Sequence, residues 1–261
     1  MNEKDRPGRK LFILKTGLIG IAAFNLPVWF PDKVTMMDFT DKRQRKGLSV
    51  LFQGDSITDG NRSRNDDWNH LMGHGYAYLI SSRLWYEHPD KELQFYNRGI
   101  SGNKITDLAE RWQEDTLDLM PGVLSILIGV NDVLYYLYGE ESYSAENFEK
   151  EYDALLMQTT KTLPDTLLAL CEPFILPVNN VKENWDLWYA EIQKRQEIVS
   201  NLAARYKAVF VSLQKPFIEA CNKAPADYWI WDGVHPMPAG HELIAREWIK
   251  TVSRTISFTC S

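Results

Sequence analysis

Cysteine is scarce: Cys171, Cys221 and Cys260 are the only three in 261 residues. So few, so scattered, argue against a disulfide framework and against a zinc site. Cys171 lies in an apolar run and reads as a small buried side chain. A basic excess is missing as well. Net charge is −6, and residues 1–30 hold five Lys/Arg against Glu3 and Asp5, which leaves −9 on residues 31–261. An acidic body argues against nucleic acid or an anionic membrane as the main partner and suits a neutral substrate. No P-loop and no G-x-G-x-x-G occurs, so a nucleotide role has no support. Pro/Gly/Ser-rich linkers and internal repeats are lacking too, which implies one domain over residues 48–254.

Uninterrupted apolar length is also short. Leu11–Phe30 is about long enough to span a bilayer, but Lys15, Asn25 and Pro27 interrupt it. The polar, basic "MNEKDRPGRK", the apolar "LFILKTGLIGIAAF" and the small residues "GIA" have the order of a signal peptide. "RKLFILK" resembles a twin-arginine signal with Lys10 in the second arginine position. Residues 1–30 are therefore expected to direct export, to the periplasm or beyond, with an uncleaved anchor as the alternative. No cysteine follows the apolar run, which argues against a lipoprotein. Residues 31–47, ending in "DKRQRKG", read as a solvated lead-in.

What is present is ordinary globular composition, 44% hydrophobic and 25% charged, with nine Trp and twelve Tyr. Short apolar runs at 48–52, 93–97, 124–130, 166–174 and 208–213 have the length of buried strands. Helical patterns fall between and after them, near 75–87, 104–118, 145–162, 184–206, 214–223 and 238–254. Strands alternating with helices imply a parallel sheet covered on both faces, an α/β fold. In such a sheet the chemistry collects at the carboxyl ends of the strands.

Four segments sit where that rule puts chemistry. "GDSIT" follows the first run with Ser56, "NRGISGNK" follows the second, "GVNDV" ends the third, and "DGVHP" lies near the C-terminus. A serine hydroxyl needs a base, which His235 can supply, and Asp232 three residues earlier can hold the other ring nitrogen. The Ser56 and Gly102 N–H groups and the Asn131 amide are a natural donor set for an oxyanion. Each motif alone is more often a turn or a helix cap. Their joint order is what favours catalysis.

These four blocks resemble the SGNH, or GDSL-type, hydrolase superfamily, with no block missing from about residue 48 to 250. The run "NRGISGNKITDLAERWQEDTLDLMPGVLSILIGVNDV" is similar to its bacterial acetylxylan esterase branch, with Tyr135 and Tyr136 where that branch often has Trp. The resemblance implies a three-layer α/β/α flavodoxin-like fold with a five-stranded parallel sheet. It also implies a Ser56–His235–Asp232 triad, an oxyanion hole from Ser56, Gly102 and Asn131, and no metal or organic cofactor. The expected activity is removal of acetyl groups from carbohydrate esters through an acyl-enzyme. A lysophospholipase or thioesterase and a non-catalytic glycan-binding module are the alternatives. The expected partner is a small-molecule or oligosaccharide ester, with homo-oligomerisation left open.

Arg62 and Trp68, on the loop after the nucleophile, and Tyr135 and Trp231 are candidate substrate contacts. Asp66, Asp67, His70 and His74 have a metal-like composition, but Gly73 and Gly75 argue against the helix that the histidine spacing needs. Trp229 and Trp231 either stack on a sugar ring or pack beneath the Asp–His loop. His241 reads as a surface or packing residue.

Overall fold

Alternating burial in the apolar runs sets the layers, because successive side chains of a strand face opposite ways. In strand β1 (Ser49–Gly54), Val50 and Phe52 enter one core while Leu51 enters the other. Both cores are covered, which is why the run reads as continuously apolar instead of alternating. The computed structural model describes residues 47–65, 67 and 69–256, all in one compact unit. The signal-peptide and anchor expectations for residues 1–30, nearly all of the lead-in, Trp68 and Cys260 lie outside the described residues.

Four further strands follow: β2 (Gln94–Asn97), β3 (Val123–Leu127), β4 (Leu167–Cys171) and β5 (Val209–Val211). All neighbours are parallel, in the order β2-β1-β3-β4-β5. This is the expected flavodoxin-like α/β sheet. The helices are α1 (Ser56–Asp59), α2 (Tyr76–Glu87), α3 (Ile105–Glu110), α4 (Val130–Leu137) and α5 (Ala145–Thr162). They continue as α6 (Asn179–Glu183), α7 (Trp185–Arg205), α8 (Gln214–Ala220), α9 (Ala226–Trp229) and α10 (Pro238–Val252).

Helices α2 and α10 pack with Val50 and Phe52 on one face; α3, α5 and the C-terminal half of α7 pack with Leu51, Leu124 and Leu170 on the other. Phe52 meets the Tyr76 ring edge-on at 5.8 Å and the Trp248 ring at 5.5 Å. Two hydrogen bonds satisfy the polar atoms of those aromatics: Tyr76 Oη to Thr58 Oγ1 at 2.8 Å, and Trp248 Nε1 donating to Ser125 Oγ at 2.9 Å. Truncating a buried aromatic of this kind costs about 3–5 kcal/mol.

Two elements differ from the sequence expectation. The helix expected over 104–118 is broken: α3 stops at Glu110, and a π-helical turn spans Gln113–Leu117. The break lets the Arg111 guanidinium turn back to the Asn103 side chain, the Arg98 carbonyl and Gln53. The expected run 124–130 is a strand only to Leu127; Gly129, at φ 124°, pivots the chain into α4. An apolar strand running straight into an apolar helix hides the junction. Among the described residues, no helix is long and apolar enough to cross a membrane.

Candidate active site

The sheet order decides which loops meet. Strands β2, β1 and β3 lie side by side, so the segments leaving their carboxyl ends share one edge. Those segments carry Gly102, Ser56 and Asn131. In a sheet of this order, β1 and β3 flank the point where the chain reverses its direction of winding, and such points open a crevice.

Ser56 is the first residue of α1, partly exposed, with Asp55 as the cap before it. Asp55 Oδ1 accepts the Ile57 N–H at 3.0 Å, which fixes the sharp turn out of β1. Burial pushes the Asp55 carboxyl up to about 7, against the pull of the Ile57 hydrogen bond and of His235. Asp55 is thus a buried structural acceptor, although it is adjacent to the serine.

Ser56 Oγ lies 2.8 Å from His235 Nε2, and His235 Nδ1 lies 2.6 Å from Asp232 Oδ2. Asp232 Oδ1 also accepts the backbone N–H groups of Val234 and His235, at 2.9 and 2.7 Å. Burial opposes ionisation of Asp232, but the His235 and Val234 hydrogen bonds outweigh it and hold its carboxyl below the ordinary range. An ionised Asp232 requires a proton on His235 Nδ1, which leaves Nε2 as the acceptor for the serine hydroxyl. The Asp232 hydrogen bond raises the His235 pKa above its ordinary value, more than partial burial lowers it.

The His235 loop is itself braced. Trp231 N–H donates to the His235 carbonyl at 3.1 Å, Met237 N–H to the Trp229 carbonyl at 2.8 Å, and Leu176 N–H to the Gly233 carbonyl at 3.0 Å. Trp231 and Trp229 differ in their surroundings. Trp231 is exposed and lies nearly parallel to the His235 ring at 6.0 Å, whereas Trp229 packs against the core. His241 is a packing residue: its Nδ1 accepts the Tyr76 N–H at 3.2 Å, and burial lowers its pKa to about 4.

Gly102 has φ 84°, which an L side chain adopts only with strain, and a side chain there would meet nothing within 4 Å. Its need for glycine is conformational, and the space beside it is open. Among the described residues, no acceptor partners the Ser56 or Gly102 N–H. One N–H of the Asn131 amide donates to the Asn103 carbonyl at 3.0 Å, which orients the amide and leaves its second N–H to donate.

Several residues that hold this turn were not singled out in the sequence. Asn97 is buried and donates to the Thr58, Met72 and Asp59 carbonyls at 2.7, 3.0 and 3.3 Å, while its oxygen accepts the Gly99 N–H. It pins the Gly102 turn to α1, which carries Ser56. Asp59 accepts from Ser101 through both its N–H and its hydroxyl at 3.0 Å, and pairs with Arg64 at 2.7 Å. Asp132 is fully buried; its Oδ1 accepts the Ile105 N–H at 3.2 Å and its Oδ2 has no partner among the described residues. Their only sequence signal is position, Asn97 and Asp132 inside two of the motif segments and Asp59 directly after a third.

The candidate substrate contacts are dispersed. Trp231 lines a cleft of about 890 Å³ together with Asn131, Asp232 and His235. Tyr135 does not line it; its ring packs against Tyr138 and Tyr143, with the Lys104 ammonium 4.6 Å above. Arg62 is half-buried and its Nε donates to the Gly99 carbonyl at 3.0 Å, behind the glycine turn. His70 pairs with Asp67 at 2.7 Å on the exposed loop. Among the described residues, no group of three or more His, Cys, Asp or Glu side chains could hold a metal ion.

Known proteins are similar to this chain in sequence and in fold. Residues 52–243 match the GDSL-like Lipase/Acylhydrolase family. An acetylxylan esterase of Geobacillus stearothermophilus is 30% identical over 213 residues, covering 79% of this chain and 94% of its own. The crystal structure of Axe2, an acetylxylan esterase from the same organism, superposes with a TM-score of 0.70 at 28% identity, covering 83% of this chain and 99% of Axe2. A Parabacteroides merdae protein described as a GDSL-like lipase superposes with a TM-score of 0.76 at 39% identity, covering 80% of this chain and 97% of its own. The chain belongs to the GDSL-like lipase/acylhydrolase family and is a carboxylic ester hydrolase.

Proposed function

We propose that the protein removes acetyl groups from carbohydrate esters, with Ser56 as nucleophile, His235 as general base and acid, and Asp232 orienting the imidazole. The observation that carries this is the continuous hydrogen-bonded chain from Ser56 Oγ through His235 to Asp232. Ser56 Oγ attacks the ester carbonyl while its proton passes to His235 Nε2, forming the C–O bond of a tetrahedral intermediate. The Ser56 and Gly102 N–H groups and the Asn131 amide receive the oxyanion. The bond to the alcohol then breaks, and Nε2 returns the proton to the departing oxygen. Water then gives a proton to the same nitrogen and adds to the acyl carbon; the bond to Ser56 Oγ breaks, Oγ takes the proton back from Nε2, and acetate leaves.

The choice of acetyl and of a sugar ester rests on the acetylxylan esterase relative, 94% of which this chain covers. Export, read from residues 1–30, fits a polymeric substrate outside the cell; N-terminal sequencing of protein from its host tests it. The catalytic test measures acetate release from acetylated xylooligosaccharides and hydrolysis of 4-nitrophenyl acetate. Ser56→Ala is expected to lower kcat by about a thousandfold or more. An inert parent protein, or an alanine variant at full rate, sinks the proposal. Faster turnover of octanoyl than acetyl esters would replace it with a longer-chain acylhydrolase.

A further inference from the structure

His235 fixes which side of the site receives which half of the ester. Its Nε2 must hand a proton to the departing alcohol, so the alcohol leaves on the side where the imidazole stands. The cleft of about 890 Å³ opens on that same side, with His235, Asp232 and Trp231 in its lining. Its volume falls within the usual range for a small-molecule site.

The opposite walls come from α4, α6 and the first turn of α7. Tyr138 stands at the end of α4 and is exposed, as is Leu187 on α7. Between them α6 and the residue after it present Asn179, Asn180, Glu183 and Asn184, all exposed. These walls are tied to the catalytic loop: the Asn179 amide donates to the Trp231 carbonyl at 2.9 Å. The cleft and the imidazole therefore keep a fixed relation.

The polar part of the lining is one-sided, beside an apolar part that includes Val130, Leu134, Leu137 and Leu187. The three amides of the α6 wall, Asn179, Asn180 and Asn184, offer donors and acceptors to hydroxyl groups, with Asn131 a fourth amide in the lining. Tyr138 and Trp231 expose ring faces to the apolar side of a ligand. No lysine or arginine lines the cleft among the described residues, and its charged groups are Glu183 and the Asp232–His235 pair. An anionic alcohol, whether a phosphate ester or a uronate, would meet no counter-charge there and would face Glu183.

We propose that the cleft between α4, α6 and the start of α7 receives the alcohol half of the ester, and that Glu183 makes it select an uncharged, polyhydroxylated alcohol over an anionic one. This rests on the esterase reading above. Selection of this kind works by repulsion of the wrong ligand as much as by attraction of the right one.

The test compares kcat/KM for an acetylated neutral xylooligosaccharide and for the same backbone bearing a uronic acid branch. The parent protein is expected to prefer the neutral ester by about fivefold or more, chiefly through KM. Glu183→Lys is expected to bring the ratio to about one or below, with Glu183→Gln between. Glu183 is exposed, and melting curves of both variants check that the fold is intact. A parent with no preference, or a ratio unmoved by Glu183→Lys, overturns the proposal while leaving the esterase reading in place. A parent that cleaves 4-nitrophenyl acetate but neither sugar overturns both the sugar substrate and this assignment, and that pattern is distinct from a flat ratio.

Discussion

Two carboxyl groups at the site are displaced in opposite directions, and each displacement has a measurable consequence. Asp232 is held low and His235 high by their mutual hydrogen bond. As the proposed base, His235 is active only when neutral, so kcat/KM should rise with pH through a raised His235 pKa. Asp232→Asn removes the cause of that rise. The acid limb of its profile should move to lower pH while the rate falls by about ten-thousandfold. An unmoved limb would mean that Asp232 does not set the imidazole's charge state. Asp132 has the reverse problem. Burial pushes it up to about 7, although the Ile105 N–H, Arg195 and Lys104 pull it down. A carboxyl raised on folding binds its proton more tightly in the folded state. Stability from this group is full below the unfolded value of 3.8 and is lost as pH rises toward 7, by up to about 1.4 kcal/mol per pH unit. Asp132→Asn keeps an oxygen for the Ile105 N–H and abolishes the ionisation. Its melting temperature should therefore exceed the parent's by a margin that grows from pH 4 to pH 7, and a margin independent of pH contradicts this origin.

At the scale of elements, α10 determines where the catalytic loop can lie. A Cβ on Gly240 would collide with the Trp229 carbonyl and come within 2.9 Å of Pro236 Cβ. The carbonyl is backbone and cannot swing aside, so the residues between Trp229 and Pro236, Asp232 and His235 included, would have to shift. Gly240→Ala is expected to cost about 1–3 kcal/mol in stability and tenfold or more in kcat, with KM less affected. An alanine variant with parental kcat would show that the loop does not depend on this contact. The same scale explains what could be read in advance. The five strands were legible because a sheet covered on both faces leaves continuous apolar runs. Three motif segments were legible because they follow or end those runs, while "DGVHP" was legible only in company with them. Helix α4 was not, since it begins at Val130, inside the apolar run 124–130, and only Ile128 and the Gly129 pivot separate it from β3. Asn97, Asp59 and Arg111 were not legible either. Each acts through partners brought to it by the sheet, such as Met72 for Asn97 and Gln53 for Arg111, and no local pattern encodes such a meeting.

For the molecule as a whole, the sign of the charge bears on which esters reach the site. Net charge is −6, and one of those negative charges, Glu183, lies in the cleft beside His235, whose lining among the described residues holds no lysine or arginine. A field of that sign lowers the local concentration of an anionic substrate and leaves a neutral one unaffected. Salt screens such a field over about 10 Å at 0.1 M and about 3 Å at 1 M. Raising ionic strength should therefore change kcat/KM for a neutral acetyl ester by less than about twofold, while kcat/KM for an anionic ester should climb several-fold. The two substrates control for each other, because a general effect of salt on folding or on the nucleophile would move both together. Parallel responses would place the charge selectivity outside the protein's field. A diverging pair that persists in Glu183→Gln would assign the repulsion to the acidic body, and one that collapses in that variant would assign it to the cleft.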